Sequence, residues 1–372
     1  MNFEFSQEQE LLREQARGFL GDNCPARVVR AVLEGDSQQS VELWGKIAEM
    51  GWTAAVIPEE FGGLELSYLE LCVIAEELGR AVAPVAFSSS VYLATEAILA
   101  AGNQEQKEHW LPKLATGEAV GTFAFSETHG RPTAASLTTV ASGGKVNGTK
   151  LPVADGIVAD FAVVVAGSSQ GDGASLYLVE LDQAGVSREV VRTLDFSREH
   201  AKIDFNEADA QLLGGDGSGW DATQQLLNRA AVLYAWEQVG GADAALEQAK
   251  EYAMGRYAFG RPIASYQAIK HKLAHMYVKN TLARSNCYYG AWALNSNSGE
   301  LALAAATSRV AATQAFVNAA QENVQTHGGM GFTWEFDCQF YYRRAKLLSV
   351  NIGSEAHWQD RLITAYEQTN AA

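Results

Sequence analysis

From Gly121 to Phe205 the chain runs in short β-branched or aromatic stretches separated by Gly, Asn and Asp, while both flanks are patterned for helices. The stretches 121–125, 138–141, 161–165, 176–181 and 201–205 have the length and the bounding turn residues of strands. Asn147-Gly148 between them is a hairpin signal. Nothing helical interrupts this window. Helices, then strands, then helices is the pattern of an α+β multidomain protein. The expected order is an N-terminal all-α domain over 1–119, a middle all-β domain of sandwich or barrel-like form over 120–215, and a C-terminal four-helix bundle over 216–372.

In the first block, Ser6 and Gln9 stand three apart as a capping box. Leu11, Leu12, Ala16, Phe19 and Leu20 follow at helical spacing. Further helices are expected near 41–50, through 70–78, near 92–101 and over 104–114. Gly102-Asn103 closes the third of these, and Pro58-Glu59-Glu60-Phe61-Gly62-Gly63 breaks the pattern as a turn. After the glycine-rich stretch 214–219 come helical segments at 220–257, 266–296, 299–326 and 337–345, with a terminal piece from 354. Their short connections are those of an antiparallel bundle.

Composition removes several functions. With 28 Lys+Arg against 44 Asp+Glu, the formal charge is −16, which repels phosphate backbones and excludes general nucleic-acid binding. Anionic ligands are still bound locally by helix N-termini and a few arginines. Cys24, Cys72, Cys287 and Cys338 lie far apart without a CxxC pair, so reduced cysteines in a cytoplasmic protein are expected rather than a zinc site or disulfide framework. No histidine pair has metal spacing. The N-terminus lacks the basic and apolar regions of a secretory signal, and no apolar run approaches the ~20 residues of a membrane span.

Three stretches carry candidate chemistry. Arg256-Tyr257-Ala258-Phe259-Gly260-Arg261-Pro262-Ile263 followed by Gln267 reads either as a helix end with dipole-complementing cations or as a pyrophosphate clamp, since Arg offers fixed donors to phosphate oxygens. Gln325-Thr326-His327-Gly328-Gly329-Met330-Gly331-Phe332 is either a bundle turn or bare backbone open to close approach. Phe123-Ala124-Phe125-Ser126-Glu127-Thr128 is an aromatic strand ending in hydroxyl and carboxylate residues.

In this order the pieces resemble the acyl-CoA dehydrogenase family over nearly the whole chain. Pro58–Gly63 resembles the family's N-domain turn, 106–118 its helix before the β domain, Phe125-Ser126-Glu127 its flavin-facing strand, and Asn147-Gly148-Thr149-Lys150 its central hairpin. The two glycine-containing stretches above resemble its C-domain signatures. The resemblance implies FAD held between the β domain and the terminal bundle, with a neighbouring subunit completing the site. By position, Phe123, Phe125 and Ser126 line the isoalloxazine ring. Arg256, Phe259 and Gln267 reach the neighbour's pyrophosphate and adenosine, and Gln325, Gly328 and Gly329 approach a pyrophosphate from the other side. The implied reaction is α,β-desaturation of an acyl-CoA thioester, with electron-transferring flavoprotein as acceptor and a homo-oligomer, or a hetero-oligomer with a homologous subunit, as the assembly.

The sequence departs from the family pattern where a base is expected. Counting forward from Arg343-Arg344 places Ile352 at the usual Glu position, and counting back from Arg361 places Ser354 there. The alternative helix position holds Ala230, followed by Ala231. Glu355 is the nearest carboxylate to the first position, and Glu237 is the second candidate. Thr128-His129-Gly130-Arg131-Pro132-Thr133 replaces the family's glycine-rich turn, with Arg131 available to a CoA phosphate, and Pro152 stands at the flavin-stacking Trp position. Divergent bacterial relatives acting on steroid or other bulky acyl-CoAs show similar changes, some as heteromers in which one subunit lacks the base. Three readings follow: an FAD-dependent acyl-CoA dehydrogenase, a base-less architectural subunit, and a flavin oxidase or monooxygenase on the same scaffold.

Overall fold

A computed structural model describes residues 5–127, 132–168 and 173–371. Among the described residues seven helices precede the strands: α1 Gln7–Asn23, α2 Ala26–Leu33, α3 Gln38–Glu49, α4 Tyr68–Arg80, α5 Phe87–Ser89, α6 Glu96–Ala101 and α7 Gln104–Ala115, with a π-helical turn Ser90–Thr95 between the fifth and sixth. Eight strands follow: β1 Gly121–Ala124, β2 Val140–Ser142, β3 Lys145–Ala154, β4 Phe161–Ser168, β5 Ala174–Glu180, β6 Val186–Val191, β7 His200–Asp209 and β8 Gln211–Leu213. Then come α8 Gly219–Gly255, the two-residue strands β9 Tyr257–Ala258 and β10 Arg261–Pro262, α9 Gln267–Asn295, α10 Leu301–His327, α11 Cys338–Leu348 and α12 Glu355–Ala371. Helices, strands and helices therefore follow one another as expected. By its contacts the chain forms two units. One comprises Ser40–Ser67 and Val85–Ala230, the other Met1–Gln39, Tyr68–Pro84 and Ala231–Ala372.

The first unit is built on one eight-stranded sheet in the order β6-β7-β3-β2-β4-β5-β8. β4 is the spine. It pairs antiparallel with β5, and its other edge takes β1 and β2 end to end, both parallel to it. Its run Phe-Ala-Val-Val-Val-Ala is buried throughout, as a central strand demands. Trp110 of α7 packs on Phe161 of β4, ring centroids 4.1 Å apart. The hairpin between β2 and β3 turns at Gly143-Gly144, not at Asn147-Gly148. Both turn glycines have positive φ, 57° and 76°, as a two-residue hairpin turn of matching twist requires. Asn147-Gly148 lies within β3 at a register shift. There Gly148 is needed because a Cβ would sit 2.6 Å from the Cα of Thr139. The Asn-Gly pair thus marks a bulge.

The second unit packs α1, α2 and α4 with the later part of α8 and with α9–α12. Ser6 caps α1: the Gln9 amide donates to Ser6 Oγ at 3.3 Å, and the Ser6 amide donates to Gln9 Oε1 at 2.9 Å. α4 crosses α8 at a pair of glycines. A Cβ on Gly79 would lie 1.8 Å from the carbonyl oxygen of Glu237, and one on Gly240 would lie 1.9 Å from that of Glu76. Around this crossing the buried Glu76 accepts from Arg284 at 2.6 Å and from Arg13 at 3.2 Å. α10 lays a buried alanine face (Ala304, Ala305, Ala312, Ala315, Ala319, Ala320) into the bundle, and small side chains there allow close packing. No helix among the described residues is long and apolar enough to cross a membrane.

Candidate active site

At the end of β1 the aromatic strand makes a platform. The Phe123 and Phe125 rings stack with centroids 6.0 Å apart and planes 24° apart, and Phe125 leans on Trp220 at 5.8 Å. Phe123 is buried, whereas Phe125 and Ser126 remain half-exposed. The pairing of β1 with β4 ends at Ala124, and other bonds hold residues 125–127. The Leu151 amide donates to the Ser126 carbonyl at 2.8 Å. Lys150, wholly buried, donates from Nζ to Glu127 Oε1 at 2.7 Å and to the Phe125 carbonyl at 3.3 Å. Glu127 also accepts from the Thr138 amide at 2.6 Å and the Thr139 amide at 3.0 Å. Burial works to raise the Glu127 carboxyl, but these donors outweigh it and hold it down at about 2. Burial lowers the Lys150 ammonium to about 8 despite its partner. Pro152 is exposed in β3. Arg131 lies outside the described residues.

The bundle presents a second group of the expected residues. α8 stops at Gly255, and β9 and β10 form a hairpin whose tip, Phe259-Gly260, has φ of 51° and 81°. Phe259 is 97% exposed there. Tyr266 braces the hairpin: its hydroxyl donates to the Ala258 carbonyl at 2.9 Å, and the Arg261 guanidinium lies 4.1 Å from its ring centre. Arg256 is exposed, and its guanidinium has no hydrogen bond or ion pair among the described residues. Gln267, also exposed, opens α9. At the other end of α10, Gln325 is exposed, and Gly328 and Gly329 have open space where a Cβ would stand. Gly331 differs, since a Cβ there would meet the Val324 carbonyl at 2.4 Å. One glycine of the cluster is therefore required by packing and two leave bare backbone facing outward.

The base candidates occupy unlike settings. Ala230 and Ala231 are fully buried in α8, and neither Ile352 nor Ser354 carries a titratable group. Glu355 is the first residue of α12 and half-buried. Its Oε1 accepts from Gln314 Nε2 at 2.7 Å and from Gln359 Nε2 at 3.0 Å. An anionic side chain there is favoured by the helix N-terminus. Glu237 is buried in α8, with Oε1 3.5 Å from the Arg344 guanidinium. Arg344 in turn donates to the carbonyls of Ala83 and Val82 at 3.2 and 3.4 Å. The structure thus places Glu237 in a buried ion pair and Glu355 at a helix start, fixed by two glutamines.

Residues that sequence reasoning did not single out include the Lys150–Glu127 pair, although both belong to quoted motifs, and Arg309, whose buried guanidinium faces the loop before α12. Spacing alone gives no sign of these pairings, because 23 residues separate Lys150 from Glu127 and 42 separate Arg309 from Asn351. Among the described residues no cluster of three or more His, Cys, Asp or Glu is placed to hold a metal.

Comparison with known proteins gives a consistent picture. Residues 6–118 match the model of the acyl-CoA dehydrogenase N-terminal domain, and residues 217–364 match that of the acyl-CoA dehydrogenase C-terminal domain. A Bacillus subtilis acyl-CoA dehydrogenase is 31% identical over 364 residues, covering 94% of this chain and 95% of its own. The solved structure of the Tcur3481–Tcur3483 steroid ACAD superposes with a TM-score of 0.88 at 28% identity, covering 98% of this chain and 99% of that one. An acyl-CoA dehydrogenase complexed with FAD from Bacillus anthracis superposes with a TM-score of 0.91 at 26% identity, covering 99% of this chain and 68% of that one.

Proposed function

Because this chain belongs to the acyl-CoA dehydrogenase family, we propose that it desaturates an acyl-CoA thioester at the α,β-carbons with FAD as its cofactor. The observation that carries the reading is the aromatic strand end, where Phe123 and Phe125 lie against each other and Lys150 and Glu127 anchor the backbone. A planar apolar surface with a hydroxyl at its edge, Ser126, suits a planar redox ring. The exposed Arg256 guanidinium, with Phe259, Gln267, Gln325 and the open backbone at Gly328 and Gly329, suits the diphosphate and adenosine of FAD, including that of a partner subunit. Bound FAD supplies the acceptor for the β-hydride.

The chain's own part is to hold the thioester and take the α-proton. Glu355 is the base in this reading and Glu237 the second candidate, because Arg344 already engages the Glu237 carboxylate. Arg131 is assigned to a CoA phosphate. The likeness to a steroid ACAD supports a bulky acyl group. Electron-transferring flavoprotein is the proposed acceptor, the cytoplasm the proposed location, and an oligomer of this chain with itself or a homologue the proposed assembly.

Purified protein carrying FAD should bleach on anaerobic addition of an acyl-CoA, and Glu355→Gln should slow bleaching by roughly 10²–10⁴-fold. Unchanged bleaching in Glu355→Gln passes the role to Glu237. The second reading, a base-less subunit of a heteromer, is favoured by the absence of a carboxylate at Ile352, Ser354, Ala230 and Ala231. It predicts a protein that bleaches only with its homologous partner. Rapid oxygen consumption without CoA would instead support an oxidase.

A further inference from the structure

Between α11 and α12 the chain passes through Val350-Asn351-Ile352-Gly353-Ser354, and Ile352 lies in the left-handed region at φ 55°. A β-branched residue there is an outlier. Such a conformation is strained and persists only where the surroundings over-determine it. The surroundings here centre on one side chain. Arg309, on α10 and wholly buried, donates through Nη2 to the Asn351 carbonyl at 3.0 Å and to the Leu348 carbonyl, and through Nη1 to Gln238 Oε1 at 2.6 Å. Gln238 is itself tied to Thr313 at 3.1 Å. The guanidinium therefore grips the carbonyl immediately before the strained residue and the last carbonyl of α11. On the far side, Gly353 at φ 120° closes against the His357 ring, where a Cβ would stand 2.4 Å away. Glu355 follows two residues later.

We infer that Arg309 is a positioning residue: it clamps the Leu348–Ser354 loop in its strained conformation and thereby sets where α12 presents Glu355. The inference rests on the proposed desaturation for its consequence but not for its geometry. Lys at 309 keeps the charge and loses the planar fork. Gly at 352 removes the left-handed penalty, so the loop needs less clamping. Three proteins decide the matter: Arg309→Lys, Ile352→Gly and the double variant, each purified with FAD. Arg309→Lys should slow anaerobic bleaching by roughly 10²-fold, the penalty of a misplaced group, with acyl-CoA affinity and flavin content unchanged. Its amides 349–354 should exchange hydrogen faster while those of α9 and α10 do not. The double variant should recover most of the bleaching rate and of the protection. Equal loss in the single and double variants, or loss that only tracks thermal stability, would overturn the clamp. If the parent protein fails to bleach at all, the desaturase reading falls, and unchanged exchange at 349–354 in Arg309→Lys would then separately refute the clamp.

Discussion

Replacing Lys150 by Met tests the physics of the aromatic platform. The change removes a buried ammonium and leaves Glu127, whose side chain is 6% exposed, without its counter-charge. Breaking a buried pair from one side costs about 3–5 kcal/mol. The Thr138 and Thr139 amides still bond the carboxylate, so the lower end of that range applies. At about 2–4 °C per kcal/mol for a unit of this size, the melting temperature should fall by roughly 6–12 °C. The double variant Lys150→Met/Glu127→Gln should recover part of that fall, because no unpaired charge then remains. The pH dependence supplies a second check. In the wild type the Glu127 carboxyl titrates at about 2 folded, against an ordinary 4.5. Its contribution is therefore complete above pH 4.5 and disappears as pH falls toward 2. Without Lys150 the folded carboxyl titrates higher, so the stability gap between wild type and Lys150→Met should narrow from pH 5 to pH 2. A melting temperature within 2 °C of wild type, or a gap constant across that interval, would refute the assignment of Lys150 as the anchor of the Phe125–Glu127 strand end.

Three further outcomes follow from the same geometry. Gly240→Ala drives a methyl into the Glu76 carbonyl and should destabilise by at least about 1–3 kcal/mol in urea denaturation, whereas Gly18→Ala, with nothing within 4 Å, should stabilise by about 0.5–1 kcal/mol. Glu237→Gln leaves Arg344 buried beside a neutral partner and should lower the melting temperature while keeping anaerobic bleaching within about threefold of wild type per bound flavin, since it is not the first-choice base; a loss of roughly 10²-fold or more would reverse that ranking. Arg256→Ala touches an exposed guanidinium with no partner among the described residues and should leave apoprotein stability within about 0.5 kcal/mol while weakening FAD binding by roughly tenfold in a titration followed by flavin fluorescence.

What the sequence made readable divides along a physical line. The long helices were legible to within a few residues, because 3.6-residue periodicity and end signals such as Ser6/Gln9 are local; the bundle helices fall at 219–255, 267–295, 301–327, 338–348 and 355–371. Strands β1, β2, β4, β5 and β7 were legible as β-branched or aromatic runs, whereas β3, β6 and β8 went unread; β6, exposed at most of its positions, carries no such run. The hairpin turn was misplaced because Asn147-Gly148 and Gly143-Gly144 carry the same local signal. Only the register, Val140 opposite Asn147 and Ser142 opposite Lys145, tells them apart. α2 escaped because Pro25 opens it without a side-chain cap. In the candidate site, the residues drawn from motifs were legible by type. The groups that hold those motifs were not, since each acts across a long sequence separation.

The positive-φ residues away from the surface show a pattern that no propensity encodes. Among the described residues seven other than glycine have positive φ: Glu65, Val82, Asp155, Glu207, Phe259, Asn297 and Ile352. Four of them, Glu65, Glu207, Phe259 and Asn297, are exposed, and the amides of Glu65, Glu207 and Asn297 donate to the Ile57 carbonyl, Asn147 Oδ1 and the Leu294 carbonyl. The other three lie inside or partly inside, and each is met by a buried arginine. Arg344 donates to the carbonyls of Val82 and Ala83, and Arg309 donates to that of Asn351 next to Ile352. At the third, Arg198 donates from Nε to Asp155 Oδ1 at 2.9 Å and from Nη2 to Ser88 Oγ at 2.8 Å. Burial works to raise the Asp155 carboxyl, but Arg198 and Ser89 hold it below its ordinary range. A guanidinium suits this task better than an ammonium, because its planar fork reaches two acceptors at once and fixes the segment's direction as well as its position. The charge is the consequence and the geometry the purpose: a chain with 16 more acids than bases buries arginines beside residues in strained conformations, bonding backbone carbonyls at two of them and the Asp155 carboxylate at the third, and one of those places is the loop that precedes Glu355.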